Sequence, residues 1–183
     1  MLLNRNFDVN PFFINYGQLN YHYEWNSCQK VCKFYGLKPI KIDISNYGTY
    51  IKSGITSKEL DVYNKAFLPN RNLLFLLIAS SYAFQNEIYA IAIGLIKNPI
   101  FPDQTKDFIQ KAEECIQESL EVDIKIIAPM IDLDKIDVYR LANELQVPID
   151  LTYYCHKGQE NPCGECIACK EHIQAKNIMK EKM

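Results

Sequence analysis

An α/β fold with a parallel sheet and a metal-stapled tail is predicted by three observations. Short apolar runs suited to buried strands alternate with segments of helical period from residue 12 to residue 145. The 183 residues, 48% hydrophobic, suffice for one core and not for two full domains with a linker. Four cysteines, Cys155, Cys163, Cys166 and Cys169, crowd together near the end. The expected division is an α/β domain over 1–150 and a zinc-binding tail over 151–183.

Taken in order, the opening Met1-Leu2-Leu3-Asn4-Arg5-Asn6-Phe7 reads as the last turn or two of a helix without its start. Pro11 leads a short apolar strand over 12–16 that ends in Gly17-Gln18. Tyr21, Trp25, Cys28, Cys32 and Tyr35 recur at steps of three and four, so a helix follows, stopped by Gly36. Cys28 and Cys32 share that aromatic stripe, and packing is favoured over a metal. Residues 40–44 alternate as a strand. Residues 45–65 have no sustained period and predict a long, mobile loop.

Pro69-Asn70-Arg71-Asn72 precedes a run, 73–79, that is apolar on nearly every side and predicts a central helix. Arg71 falls at its positive end, which opposes the helix dipole and points to an anion nearby; the alternative is a solvated arginine. A buried strand is predicted over 88–94, with a loop over 95–104 beyond its C-terminal end, where open α/β sheets bind ligands. The helix over 105–120 aligns Phe108, Ile109, Ala112, Cys115, Ile116 and Leu120, which puts Cys115 in the core. A strand over 124–128 ends at Pro129. Asp134 and Asp137 then form a capping-box-like start to a helix over 135–145.

The cysteine spacing suits a closed tetrahedral zinc site of the structural kind, with Gly164 easing the turn between Cys163 and Cys166. Two disulfides are the alternative, the choice of a secreted chain with a signal segment, which does not open this sequence. His156 and His172 could ligate, but four cysteines already fill such a site. A closed site does no chemistry, so function lies elsewhere. Net charge is −2, and no lysine or arginine run precedes the tail at 176–182, so nucleic acid is not the expected partner. Small molecules fit better. No apolar run reaches the length of a membrane span, and seven cysteines agree with a reducing, cytoplasmic setting.

Several motifs together resemble the 7-cyano-7-deazaguanine synthases of the queuosine precursor pathway, a branch of the PP-loop ATP pyrophosphatases. They are Phe13-Ile14-Asn15-Tyr16-Gly17-Gln18, Pro69-Asn70-Arg71-Asn72-Leu73-Leu74-Phe75-Leu76, Pro102-Asp103 and Pro129-Met130-Ile131-Asp132-Leu133-Asp134-Lys135. Above all there is Leu151-Thr152-Tyr153-Tyr154-Cys155 running into Pro162-Cys163-Gly164-Glu165-Cys166-Ile167-Ala168-Cys169. The resemblance implies a Rossmann-like sheet of the adenine nucleotide alpha-hydrolase type, so that 1–150 becomes a nucleotide-binding domain. It implies that ATP and ammonia convert 7-carboxy-7-deazaguanine to the nitrile, with Mg2+ and basic side chains offsetting phosphate charge. By position, Tyr16, Gly17 and Gln18 match the loop on the adenine side, Arg71 and Asn72 the helix-start pair, and Lys135 a lysine facing phosphates. Asp103 matches the acidic residue of the substrate loop, and Cys155, Cys163, Cys166 and Cys169 match the zinc ligands. A homodimer is left open.

The chain departs from the family pattern in three places. No Ser-Gly-Gly-x-Asp-Ser phosphate loop occurs in the 183 residues, nor the strand before it. The run Leu95-Ile96-Lys97-Asn98-Pro99-Ile100-Phe101 is shorter than the family's substrate loop, and Leu19-Asn20 replaces a basic pair. Three readings stand: a synthase without its phosphate-loop segment, a non-catalytic zinc-stapled relative that binds a deazapurine, nucleotide or partner, and a related ligase acting on another substrate. Two expectations follow from the first. Arg71 and Lys135 share a pocket at the C-terminal edge of the sheet, and the chain alone does not turn over ATP.

Overall fold

The computed structural model describes residues 1–180; the last residues of the lysine-rich tail, 181–183, lie outside them. The fold is α/β with parallel strand pairing, as the alternation of elements predicted. The chain divides into two compact units. One comprises residues 1–68 with the described residues from 139 onward, and the other residues 69–138.

In the first unit a 3-10 turn at Leu3–Arg5 ends with Asn6 in the left-handed region, φ 59°. Strand β1 (Phe12–Asn15) then pairs in parallel with β2 (Ile40–Asp43), Phe12 opposite Ile40 and Asn15 opposite Asp43. Helix α1 (Tyr21–Phe34) makes the crossover between them. Phe13 of β1 lies against Tyr21 and Trp25 of α1, with ring centroids 6.2 and 5.2 Å apart, so the start of the predicted stripe packs on β1, while Tyr35 at its far end is exposed. Cys32 is buried on that helix and its Sγ lies 4.0 Å from that of Cys28.

The loop expected to be mobile is instead packed. It opens with a short helix, α2 (Asn46–Tyr50), and buries Ile55 and Val62, with Leu68 buried just beyond it. Leu19 N–H donates to Ile55 C=O at 2.9 Å and Gly54 N–H to Lys65 C=O at 2.6 Å. Its apolar residues are spaced by turns, so neither a helical nor a strand period revealed them.

The second unit holds α3 (Arg71–Gln85), β3 (Ala90–Ala92), α4 (Lys106–Leu120) and β4 (Lys125–Ile127). β3 and β4 are parallel, Ile91 opposite Ile126. Main-chain bonds from Lys125 N–H to Tyr89 C=O and from Ile93 N–H to Ile127 C=O carry the ladder a residue further at each end. Leu76, Ala83, Ile91, Ile109, Ala112, Ile116, Ile124 and Ile126 form the core. Thr105 caps α4, its hydroxyl accepting from Phe108 N–H at 3.1 Å.

Two expectations are corrected here. Helix α3 is not buried all round: Asn72, Leu76, Ser80 and Ala83 form its buried stripe, while Leu77 and Phe84 are 43% and 46% exposed. Its composition is apolar on every side, but only the positions at steps of three and four meet the core. Cys115 is exposed rather than buried. The buried positions of α4 are Ile109, Ala112 and Ile116, and Cys115 precedes Ile116 by one residue, about 100° round the helix.

Helix α5 (Lys135–Glu144) starts with a reciprocal cap: Asp137 N–H donates to Asp134 Oδ1 at 2.8 Å, and Asp134 N–H to Asp137 Oδ2 at 3.3 Å. Helix α6 (Ile167–Lys180), which the reading of the cysteine stretch did not anticipate, begins inside the cysteine cluster and follows it. Among the described residues each strand pairs with one neighbour, β1 with β2 and β3 with β4. No described helix is long and apolar enough to cross a membrane.

Candidate functional sites

The four cysteines predicted as ligands come together. Their sulfurs all lie within 4.8 Å of one another, and Cys163 Sγ and Cys169 Sγ are 3.8 Å apart. A tetrahedron with Zn–S bonds of about 2.3 Å has edges of about 3.8 Å, so the set fits a four-thiolate metal site. Cys155, Cys166 and Cys169 are 0% exposed. All seven cysteines are free thiols, which does not support the two-disulfide alternative.

Main-chain donors prepare the sulfurs. Cys163 N–H points to Cys155 Sγ at 3.4 Å and Cys166 N–H to Cys163 Sγ at 3.3 Å. Burial pushes the Cys163 thiol up, but the N–H groups of Cys166 and Glu165 outweigh it and bring it down to about 6, within the thiolate range that ligation needs. Burial pushes Cys169 up, which ligation by a metal would reverse. His172 is not a ligand: its ring stacks on Tyr154, centroids 3.8 Å apart, and its Nδ1 is hydrogen-bonded to the Tyr139 hydroxyl. The stack continues from Tyr154 to Tyr153 and from Tyr153 to Tyr23 of α1, at 6.5 and 4.9 Å. These aromatics have no period of their own, so only the Thr152-Tyr153-Tyr154-Cys155 motif hinted at them.

The metal loop also meets the turn after β1. Gly158 has φ +63°, and a Cβ there would lie 2.3 Å from the Leu19 carbonyl oxygen, so only glycine fits. Asn20 Nδ2 donates to the Cys155 carbonyl at 3.1 Å. Tyr16, Gly17 and Gln18 form that turn. Gln18 is buried and fully engaged: its Oε1 accepts from Tyr16 N–H at 2.9 Å, and its Nε2 reaches Ile14 C=O at 3.3 Å and Glu24 Oε2 at 3.1 Å. Gly17, at φ +87°, passes so close to α2 that a Cβ would lie 2.5 Å from the Ser45 carbonyl oxygen. On the outside of the metal loop Glu165 accepts from the Tyr63 hydroxyl at 2.8 Å and pairs with Lys157 at 3.5 Å.

In the second unit Arg71 is the first residue of α3, behind Asn70 in the left-handed region and without a side-chain cap. The Asp103 carboxylate stands beside Asn72 at this helix start. Its Oδ2 accepts from Asn72 N–H at 3.3 Å while Asn72 Nδ2 donates to the Asp103 carbonyl at 3.0 Å. The Arg71 guanidinium lies over Phe75 at 6.0 Å and gives Nη2 to Asn72 Oδ1 at 3.4 Å; its Nε is buried with no partner. Lys135 is likewise the first residue of its helix. The loops beyond β3 and β4 are tied together by Lys97 N–H to Leu133 C=O at 2.8 Å and by Lys106 to Asp132 at 2.6 Å. Asp103 and the approach to Lys135 therefore belong to joined loops at the C-terminal edge of β3 and β4.

A parallel α/β scaffold with a four-cysteine knuckle able to hold a metal, and with loops joined beyond the ends of β3 and β4, defines a class of α/β protein. Residues 1–179 match the family described as Queuosine biosynthesis protein QueC, and the chain belongs to it. It is 29% identical to the 7-cyano-7-deazaguanine synthase of Methanobrevibacter smithii, across 92% of this chain and 82% of that protein. It is 30% identical to that of Archaeoglobus fulgidus, across 95% and 77%, and 32% identical to that of Picrophilus torridus, across 91% and 76%. The family and these relatives tie the chain to queuosine biosynthesis.

Proposed function

We propose that this chain is the body of a 7-cyano-7-deazaguanine synthase, a cytoplasmic ligase using ATP and ammonia to convert 7-carboxy-7-deazaguanine into the nitrile. The observation that carries the reading is the family match over 1–179. A carboxylate is a poor electrophile, so its oxygen attacks the α-phosphorus of ATP, pyrophosphate leaves, and ammonia displaces AMP to give the amide. The amide oxygen then attacks a second ATP, pyrophosphate leaves again, and departure of AMP with the amide oxygen and of the two amide protons leaves the nitrile.

In this reading Arg71 and Lys135 meet phosphate charge, and the unpartnered Arg71 Nε supplies a donor for it. Tyr16, Gly17 and Gln18 border the adenine, while Asn72 and Asp103 shape the start of α3 and the substrate loop. Magnesium enters with the nucleotide and offsets phosphate charge. The four cysteines hold a structural zinc, and we take 151–183 as the metal tail of a nucleotide-binding region over 1–150.

The backbone cradle of a Ser-Gly-Gly-x-Asp-Ser loop has no counterpart in the 183 residues. Residues 1–183 by themselves therefore do not turn over ATP. The test is ammonia-dependent formation of the nitrile from 7-carboxy-7-deazaguanine and ATP, with the chain alone and with an added strand-plus-loop segment. Rescue by the segment supports the synthase; turnover by the chain alone overturns the account of the loop. No turnover in either case favours a non-catalytic binding relative, to which the shortened loop over 95–101 also points.

A further inference from the structure

Asn20 occupies a place where the resembled family has a basic residue, and it is 4% exposed. Its amide nitrogen donates twice, to the Cys155 carbonyl at 3.1 Å and to Glu24 Oε1 at 2.9 Å. The other oxygen of Glu24 accepts from Gln18 Nε2 at 3.1 Å, and Gln18 Oε1 takes the Tyr16 N–H at 2.9 Å. An unbroken series of buried or half-buried hydrogen bonds thus runs from the main chain of a metal ligand to the turn after β1. Beside it Gly158 brings the metal loop against Leu19 and Asn20 so closely that no side chain fits between them. Both amide hydrogens of Asn20 are spent on this bridge, and buried donors of this kind are costly to leave unmade.

We propose that Asn20 is a positioning residue that couples the four-cysteine metal centre to the β1–α1 turn, so that metal occupancy sets the order of Tyr16, Gly17 and Gln18. The coupling itself does not need the synthase reading; its importance for nucleotide binding rests on that reading. When the metal leaves, the loop carrying Cys155 loses its anchor and the Cys155 carbonyl no longer holds Asn20. Glu24 then loses the Asn20 bond that steadies it, and Gln18, held by Glu24 and the Ile14 carbonyl, is less firmly set against the Tyr16 N–H. In this chain the bridge between Glu24 and the Cys155 carbonyl is made by the short Asn20 amide.

The test is amide hydrogen exchange at Tyr16, Gly17, Leu19 and Tyr21 in the zinc-loaded protein, before and after chelation, for the native chain and for Asn20→Ala. In the native chain, chelation should speed these amides roughly tenfold, the scale of losing one well-made buried hydrogen bond. In Asn20→Ala they should already exchange fast and respond little to chelation, while the thiolate-to-cobalt absorption of the Co2+-substituted protein shows the site still filled. A residue with a purely structural role would raise exchange in both states and leave the response to metal intact, which overturns the proposal. If Asn20→Ala does not fold, Asn20→Asp keeps the shape, removes both donations and should behave as just described. Loss of metal uptake with helix content retained also overturns it, because Asn20 would then belong to the metal site itself. Binding of a non-hydrolysable ATP analogue, measured separately, distinguishes the two failures: no binding by any form counts against the nucleotide reading alone.

Discussion

The metal centre and the start of α3 are both loop structures anchored on helix ends, but their parts come from different distances along the chain. Cys155, Cys163, Cys166 and Cys169 belong to one stretch, and the polar groups around them are used: the Cys155 carbonyl by Asn20, the Glu165 carboxylate by Tyr63, the Tyr153 hydroxyl by Gln159. Arg71, Asp103 and Lys135 come from three segments, and the guanidinium keeps a buried nitrogen without a partner. The first region is assembled from neighbours along the chain, the second only by the fold.

That difference can be broken most forcefully by Cys166→Ser. Apparent zinc affinities in four-ligand structural sites are worth about 10–16 kcal/mol of folding, so loss of one thiolate should drop zinc from about one per chain to far below that and melt α6. Metal analysis with circular dichroism reads both; full zinc retention would mean that Cys166 is no ligand. Ile116→Ala makes the opposite cut, in the core of the second unit, where the side chain is 1% exposed. It should cost about 2–5 kcal/mol in denaturant melts while leaving zinc stoichiometry unchanged. Zinc loss in that variant would show that the two regions are not separable.

Gly158→Ala probes the contact between the metal loop and the β1–α1 turn. A forced left-handed alanine against the Leu19 carbonyl should cost about 1–3 kcal/mol and lower zinc affinity in a competition titration. The smallest effect is expected from Asp134→Ala, which opens the cap of α5 ahead of Tyr139. A loss of about 1 kcal/mol is expected, visible as a small shift of the thermal midpoint, with zinc again unchanged.

Legibility followed the same divide. The cysteine spacing, the aromatic stripe of α1 and the Asp134–Asp137 cap were readable because each is set by residues a few positions apart. Arg71 at a helix start was readable. That Asp103 accepts from the Asn72 amide there was not, because a carboxylate thirty-one positions away leaves no local signature. The packed loop before Leu68 and the exposure of Leu77 were hidden for a related reason: burial depends on what faces a residue, and period alone does not state it. Helix α6 was overshadowed by the cysteines at its start, where metal spacing dominates over amphipathic pattern.

The exposed sulfur of Cys115 has a practical side. With four thiols drawn into one cluster, Cys32 buried, and Cys28 pushed up to about 12, first by burial and then by its neighbour Cys32, Cys115 is the exposed sulfur that reagents and air reach readily. Two molecules joined there during storage would migrate as a dimer in a gel run without reductant and mimic a biological assembly. Oligomeric state is therefore to be measured under reducing conditions. The same sulfur offers a single attachment point for a dye on the outer side of α4, a reporter for the second unit that leaves the knuckle untouched.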